Sequence, residues 1–277
     1  MTGSGSVATA PTRARPWLWA LTLVAATVAA YWNSLDAPFI FDDVPAIVEN
    51  RAINSLWGGE GPVRAGSAVD GRPVVNWSFA INYALGGTNP RGYHATNLLI
   101  HVSAGLLLWS ILRGTLRGTA LPVWLRDRSD VVAGAAALVW LLHPLQTESV
   151  TSVVQRTESL AGLVYLGALA AFVRATDDAE PDPWQWLAVS LMAVWLGMAT
   201  KETVATAPLL ILLYDRTFVA GSFREAWRRR LWFRESPRRR SPRGCRGCHR
   251  PAGRRKLGIR CSMRTPRPRG PTARPCR

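Results

Sequence analysis

The stretch from Trp17 to Leu35, WLWALTLVAATVAAYWNSL, decides the fold class. It carries no charge over about 19 residues, and a helix rising ~1.5 Å per residue over that length crosses a bilayer core of roughly 30 Å. Trp17, Trp19, Tyr31 and Trp32 mark its two ends, where amphipathic rings settle at membrane interfaces. A secretory signal peptide is the competing reading. The aromatic flanks and the lack of a clear small-x-small cleavage site disfavour it.

Outward from this span the pattern recurs. Further apolar segments lie near 94–112, 129–143, 158–174, 184–200 and 203–215, several of them short for a full crossing. Gly and Ala inside them suit close helix packing in lipid. The expected fold is an all-α integral membrane protein with about six transmembrane helices, polytopic over 16–218. A cytoplasmic segment, 1–15, precedes it. A large first extracytoplasmic loop, 36–93, carries GRPVVNWSFAINYALGG. There Val74, Trp77, Phe79, Ile81 and Leu85 predict an apolar helix near the membrane surface, stopped by Gly86-Gly87. No repeat appears along the 277 residues.

The formal net charge of +16 first suggests a nucleic-acid partner. Its location removes that reading. Of the 34 Lys+Arg, 20 lie in 224–277, where only Glu225 and Glu235 are acidic, so the remainder is close to neutral. All four cysteines, Cys245, Cys248, Cys261 and Cys276, share this tail, so no disulfide scaffold holds the body. The run Cys245-Arg246-Gly247-Cys248-His249 matches the haem-attachment pattern. The tail lacks an aromatic residue beyond Phe233 to bury a haem, and the four cysteines are wrongly spaced for zinc. Residues 219–277 read as a disordered basic tail. Its abrupt Arg/Pro/Gly/Cys composition and the near absence of lysine predict a GC-rich frame that is shifted or truncated. A true polybasic tail on an anionic leaflet is the alternative.

Basic residues orient the spans. Arg13, Arg15, Arg113, Arg117, Arg126, Arg128, Arg174, Arg216, Arg224 and Arg228–Arg230 all fall on one side if six spans alternate. That side is expected to be cytoplasmic, with both termini on it. Three segments are left for the other side: the first loop, 143–158, and the turn around 200–203.

The polar residues with unusual chemistry lie in those three segments. Asp42-Asp43 follows the apolar run Phe39-Ile40-Phe41. Two adjacent carboxylates in such surroundings are costly unless paired or used, and a like-charged neighbour can raise one pKa toward a general base's range. The pair is a candidate catalytic base, a candidate divalent-metal site, or a turn before Val44-Pro45. His143, Glu148 and Arg156 lie around the end of the third span and suit a phosphate or sugar; solvation of an interface is the alternative. Lys201-Glu202 sits in a short turn, and Lys201 is the one lysine of the body. It is a point charge for phosphate or a residue snorkelling at the interface. Arg72 and Arg91 are candidates of the same kind, with Asn76, Asn82, Asn89 and His94.

The blocks FDD, GRPVVNWSFAINYALGGTNPRGYHATNLLIHVSAGLLLW, LLHPLQTESVTSVVQRTESLAGLVYL and MATKETVATAPLLILLYD occur in order. Together they resemble the membrane half of the transmembrane-and-TPR proteins, O-mannosyltransferase-like glycosyltransferases of the GT-C class with bacterial relatives. The resemblance covers roughly Tyr31 to Phe218 and stops before the TPR region. It implies a bacterial plasma-membrane enzyme that moves a sugar, commonly mannose, from a polyprenyl-phosphate carrier to a Ser/Thr hydroxyl of a protein acceptor. It also implies an acidic base in the first loop, which falls on Asp42 or Asp43. His143, Arg156 and Lys201 then match the cations that steady the departing lipid phosphate. A transporter-like protein and a non-catalytic membrane anchor are the alternatives. Charge-poor span centres and the paired Asp disfavour a transporter.

Overall fold

Prolines open four of the main helices. In a computed structural model, α1 (Pro16–Tyr31), α2 (Pro73–Gly86), α3 (Pro90–Leu116) and α8 (Pro183–Met198) each begin on one. Proline fits the first helical turn because its missing N–H has no helical partner there. Between α3 and α8 run α4 (Val123–Asp127), α5 (Ser129–Leu141), α6 (Thr147–Thr151) and α7 (Arg156–Ala175). Then come α9 (Ala207–Tyr214) and the basic α10 (Phe223–Leu231). The structure describes residues 15–57, 67–118, 121–177 and 180–231, and no strand occurs among them. Arg13 and residues 232–277, with the four cysteines and the expected frameshift, lie outside the described residues; the first part of the expected disordered tail is instead helical, as α10.

The protein is an all-α membrane protein. Three helical stretches are long and apolar enough to cross a bilayer: Pro16–Asp36, Pro90–Leu116 and Arg156–Ala175. Ser129–Leu141 and Pro183–Met198 are shorter apolar helices. Trp17, Leu21, Val139, Leu191, Met192, Trp195 and Leu209 are exposed on the helix surfaces. Without water to drive burial, helices in lipid associate through close packing. Glycines supply it at two contacts. A side chain at Gly105 of α3 would meet Leu141 of α5, and one at Gly134 of α5 would meet Trp19 of α1. Ser190 of α8 donates to the Ala168 carbonyl of α7 at 2.8 Å.

Polar ties define the two ends of the helix array. At one end Arg117 donates to both Asp130 oxygens, at 2.9 and 3.1 Å, with Arg113 on the same carboxylate. There Thr115 and the Tyr214 hydroxyl lie 2.6 Å apart. At the opposite end the first loop, the 142–158 connection and the 199–206 turn meet. Asp43 accepts from Val154 N–H at 2.7 Å, Val74 N–H donates to the Ala199 carbonyl at 3.5 Å, and Glu158 pairs with Lys201.

The first loop has its own core. Ala46, Ile47, Ile53, Val75, Phe79 and Tyr93 pack with Val153 and Val154 from the far side of the chain. α2 buries Val75, Phe79 and Asn82 and leaves Trp77 and Leu85 exposed. It ends where Gly87 takes φ 60°, a left-handed position that glycine adopts without a Cβ penalty.

Candidate active site at the loop end of the helix array

Asp42 and Asp43 sit on a strained turn. Phe41 has φ 46° and is the one non-glycine residue at positive φ among the described residues. Such a conformation costs of order 1 kcal/mol or more and persists only where the surroundings impose it. Here Asp43 N–H donates to the Ile40 carbonyl at 2.9 Å, and Val44 N–H to the Phe41 carbonyl at 3.2 Å. The Phe41 side chain is 88% exposed, so no packing of the ring explains the strain.

The turn gives the two carboxylates opposite environments. Asp43 is 0% exposed. One oxygen accepts from Val154 N–H at 2.7 Å and the other from Ile40 N–H at 3.3 Å. Its donors are backbone groups, and it ties the turn to the segment leading into α7. Asp42 is exposed, so its carboxylate meets solvent. Of the two, Asp42 is the group that can take a proton from an incoming hydroxyl. Among the described residues no group of three or more His, Cys, Asp or Glu side chains is placed to hold a metal ion. Asp43 is already engaged by backbone donors, so the donor set at Asp42-Asp43 does not fit a metal cage.

Arg156 is buried at the first turn of α7, 0% exposed. Its guanidinium donates to the Asn97 side chain at 2.7 Å, the Asn82 side chain at 2.6 Å, the Tyr93 carbonyl at 3.0 Å and the Ser78 carbonyl at 3.2 Å. The Phe79 ring lies 4.5 Å from it. An isolated buried charge is expensive, and here neutral oxygens and an aromatic face replace its hydration.

Lys201 meets Glu158 rather than its neighbour Glu202, which is exposed. The pair joins the turn after α8 to the first turn of α7. Glu158 of this pair lines two neighbouring cavities, which also share Trp140 and Gly162. One, about 440 Å³, is an apolar groove between α3, α7 and the 203–206 turn, lined by Leu108, Ala161 and Leu166. The other, about 230 Å³, is more enclosed and adds His101, Gln146, Ser149 and Ser159. His101 stacks on Trp140 at 5.1 Å and donates Nε2–H to the Leu141 carbonyl at 3.0 Å, which fixes its tautomer.

The other expected site residues are scattered. His143 is exposed and its Nδ1 accepts from Leu145 N–H; Glu148 is exposed and accepts from Gln155. Arg91 pairs with Asp36 at 3.6 Å on the surface. Arg72 donates to the Ala68 carbonyl and lines a separate cavity in the loop domain. His94 is 1% exposed, its Nε2–H donating to the Ala37 carbonyl at 3.1 Å. Sequence reasoning did not single out Asn97, His101 and Trp140. The signal for the first two was present, since a polar side chain in the middle of a span is costly without a role.

No family model matches the chain, and no solved structure matches it. Curated proteins do. Protein O-mannosyl-transferase TMTC3 of Homo sapiens is 28% identical over 215 residues, which are 73% of this chain and 22% of that protein. Protein O-mannosyl-transferase Tmtc1 of Drosophila melanogaster is 33% identical over 196 residues, 67% of this chain and 21% of its own. Tmtc2 of the same fly is 34% identical over 201 residues, 67% and 20% respectively. The chain therefore spans about a fifth of the length of these relatives. By its sequence the chain is a relative of the TMTC protein O-mannosyl-transferases.

Proposed function

We propose that the chain carries the membrane-embedded part of a glycosyltransferase that moves a sugar, mannose by analogy with the names of its relatives, from a polyprenyl phosphate to a Ser/Thr hydroxyl of a protein. The observation that carries this reading is the division of labour at Asp42-Asp43: one carboxylate locked by backbone donors, its neighbour free in solvent on a strained turn. The acceptor oxygen attacks the anomeric carbon while Asp42 takes its proton. The bond from the anomeric carbon to the phosphate oxygen breaks, and the phosphate leaves with the electron pair. Lys201, paired with the cavity-lining Glu158, offers its ammonium to the negative charge that builds on that phosphate. The apolar groove suits the isoprenoid chain, and the polar chamber beside Trp140 suits the sugar. His143, Glu148, Glu202, Arg72 and Arg91 remain candidates for the acceptor or the lipid head.

The concentration of arginine at the opposite end supports a cytoplasmic location for it, by the positive-inside rule. In this reading Asp42 lies on the outer side of a bacterial plasma membrane. The test uses membranes containing the chain, labelled polyprenyl-phosphate mannose and a Ser/Thr peptide. Transfer by wild type that is lost in Asp42→Asn supports the proposal. Full transfer by Asp42→Asn removes the proposed base, and no transfer by wild type removes activity from this part of the protein.

A further inference from the structure

A buried guanidinium that faces only neutral groups needs a reason, because the same volume filled by apolar side chains avoids its desolvation. Arg156 bridges α7 to Ser78 and Asn82 of α2 and to Tyr93 and Asn97 of α3. Its amide partners continue outward. Asn97 Nδ2 donates to the Ser152 and Val153 carbonyls at 3.2 and 3.3 Å. That holds the turn segment whose next N–H, on Val154, donates to Asp43. On the other flank Asn76 of α2 accepts from Asn50 at 3.1 Å, and Asn50 also donates to the Ala46 carbonyl at 2.9 Å. The turn that carries Asp42 is thus tied twice to the helices, through Asp43 and through Asn50, and both ties lead back to elements that Arg156 joins.

We propose that Arg156 is a positioning residue, a latch that fixes the strained Asp42-Asp43 turn against α7 without touching substrate. Its place in catalysis rests on the reaction proposed above; its place as a latch does not. The fork of the guanidinium reaches α2 and α3 at once, which a lysine ammonium on a flexible stem does not reproduce. The strain at Phe41 is what such a latch would hold in place.

The test uses the chain reconstituted in nanodiscs, with the variants Arg156→Lys and Asn82→Ala. Backbone hydrogen exchange is one readout and sugar transfer the other. For Arg156→Lys, exchange over 40–48 and 73–82 is expected to rise about 10-fold or more while α5 and α8 keep their protection. Transfer is expected to lose about 10²-fold in kcat, the effect of a small misplacement of the base. The donor KM should stay within about twofold of wild type. Asn82→Ala, which removes one acceptor and keeps the guanidinium, should loosen the same segments by less. A raised donor KM with unchanged exchange would overturn the latch in favour of direct contact with the donor, and unchanged exchange in both variants would overturn it outright. If wild type transfers no sugar, the reaction fails and exchange still decides the latch. If Arg156→Lys does not fold, Asn82→Ala decides it.

Discussion

Asp43→Ala and Asp42→Asn are adjacent substitutions with opposite expected effects. The Asp43 carboxylate is buried and accepts two backbone N–H groups, at 2.7 Å from Val154 and 3.3 Å from Ile40. A hydrogen bond to a charged acceptor contributes about 1.5–3 kcal/mol, and an orphaned buried N–H costs about 1–3 kcal/mol. The Val154 N–H makes the shorter bond and is buried beside Val153, so it bears most of that loss. The Ile40 bond is longer and near the surface and adds less. Asp43→Ala is therefore expected to destabilise the loop domain by about 3 kcal/mol. Asp42 is exposed, and its isosteric replacement by Asn should change stability by no more than about 0.5 kcal/mol. Urea titration of each variant in micelles, followed by tryptophan fluorescence, gives the stability; Trp57 and Trp77 report on the loop. Sugar transfer under native conditions gives the activity. Asp42→Asn should be stable and inactive. An Asp43→Ala protein as stable as wild type, or an Asp42→Asn protein less stable than Asp43→Ala, would refute the division of roles.

Gly105→Ala should push α3 from α5, because the new methyl overlaps the Leu141 side chain. Overpacking of that kind costs about 1–3 kcal/mol, and the companion change Leu141→Ala should recover part of it in an unfolding measurement. Asp130→Asn removes the carboxylate that Arg113 and Arg117 share. Two arginines then face each other without a counter-charge, and the loss of stability, about 1–2 kcal/mol, should shrink as salt is raised. Lys201→Met breaks the pair with Glu158, in which the side chains are 20% and 45% exposed. A pair that open to solvent stabilises by about 1 kcal/mol at most. Melting should barely change, and under the proposed function the loss should appear in transfer kinetics, with Lys201→Arg recovering only part.

Much of the secondary structure was legible from local pattern. The helix Pro73–Gly86 follows from Val74 to Leu85 and its glycine stop, and the first span from its charge-free run between aromatic ends. The later apolar segments were legible as helices. Their lengths, 13 residues for α5 and 16 for α8, reflect turns set by His143-Pro144 and by the polar run after Met198, not by bilayer thickness. At the site, the sequence placed Asp42-Asp43, Arg156 and Lys201 on three segments of one end. It left both aspartates equivalent, because adjacency carries no information on which side chain turns inward.

The sequence alone therefore determined the class of molecule, an all-helical membrane protein, and the family to which it is related. Both rest on composition and local order, which the chain carries at every position. The tertiary structure decided which charged groups are open and which are enclosed. The turn at Phe41 aims Asp43 at the Val154 N–H and leaves Asp42 in solvent, and the end of α7 inserts Arg156 among Ser78, Asn82, Tyr93 and Asn97. Those partners lie between 59 and 78 residues away in the chain for the side chain of Arg156, and 111 away for Asp43. Hydration, the quantity that separates a reactive charge from a structural one, is fixed by such distant neighbours, so no reading of nearby residues reaches it.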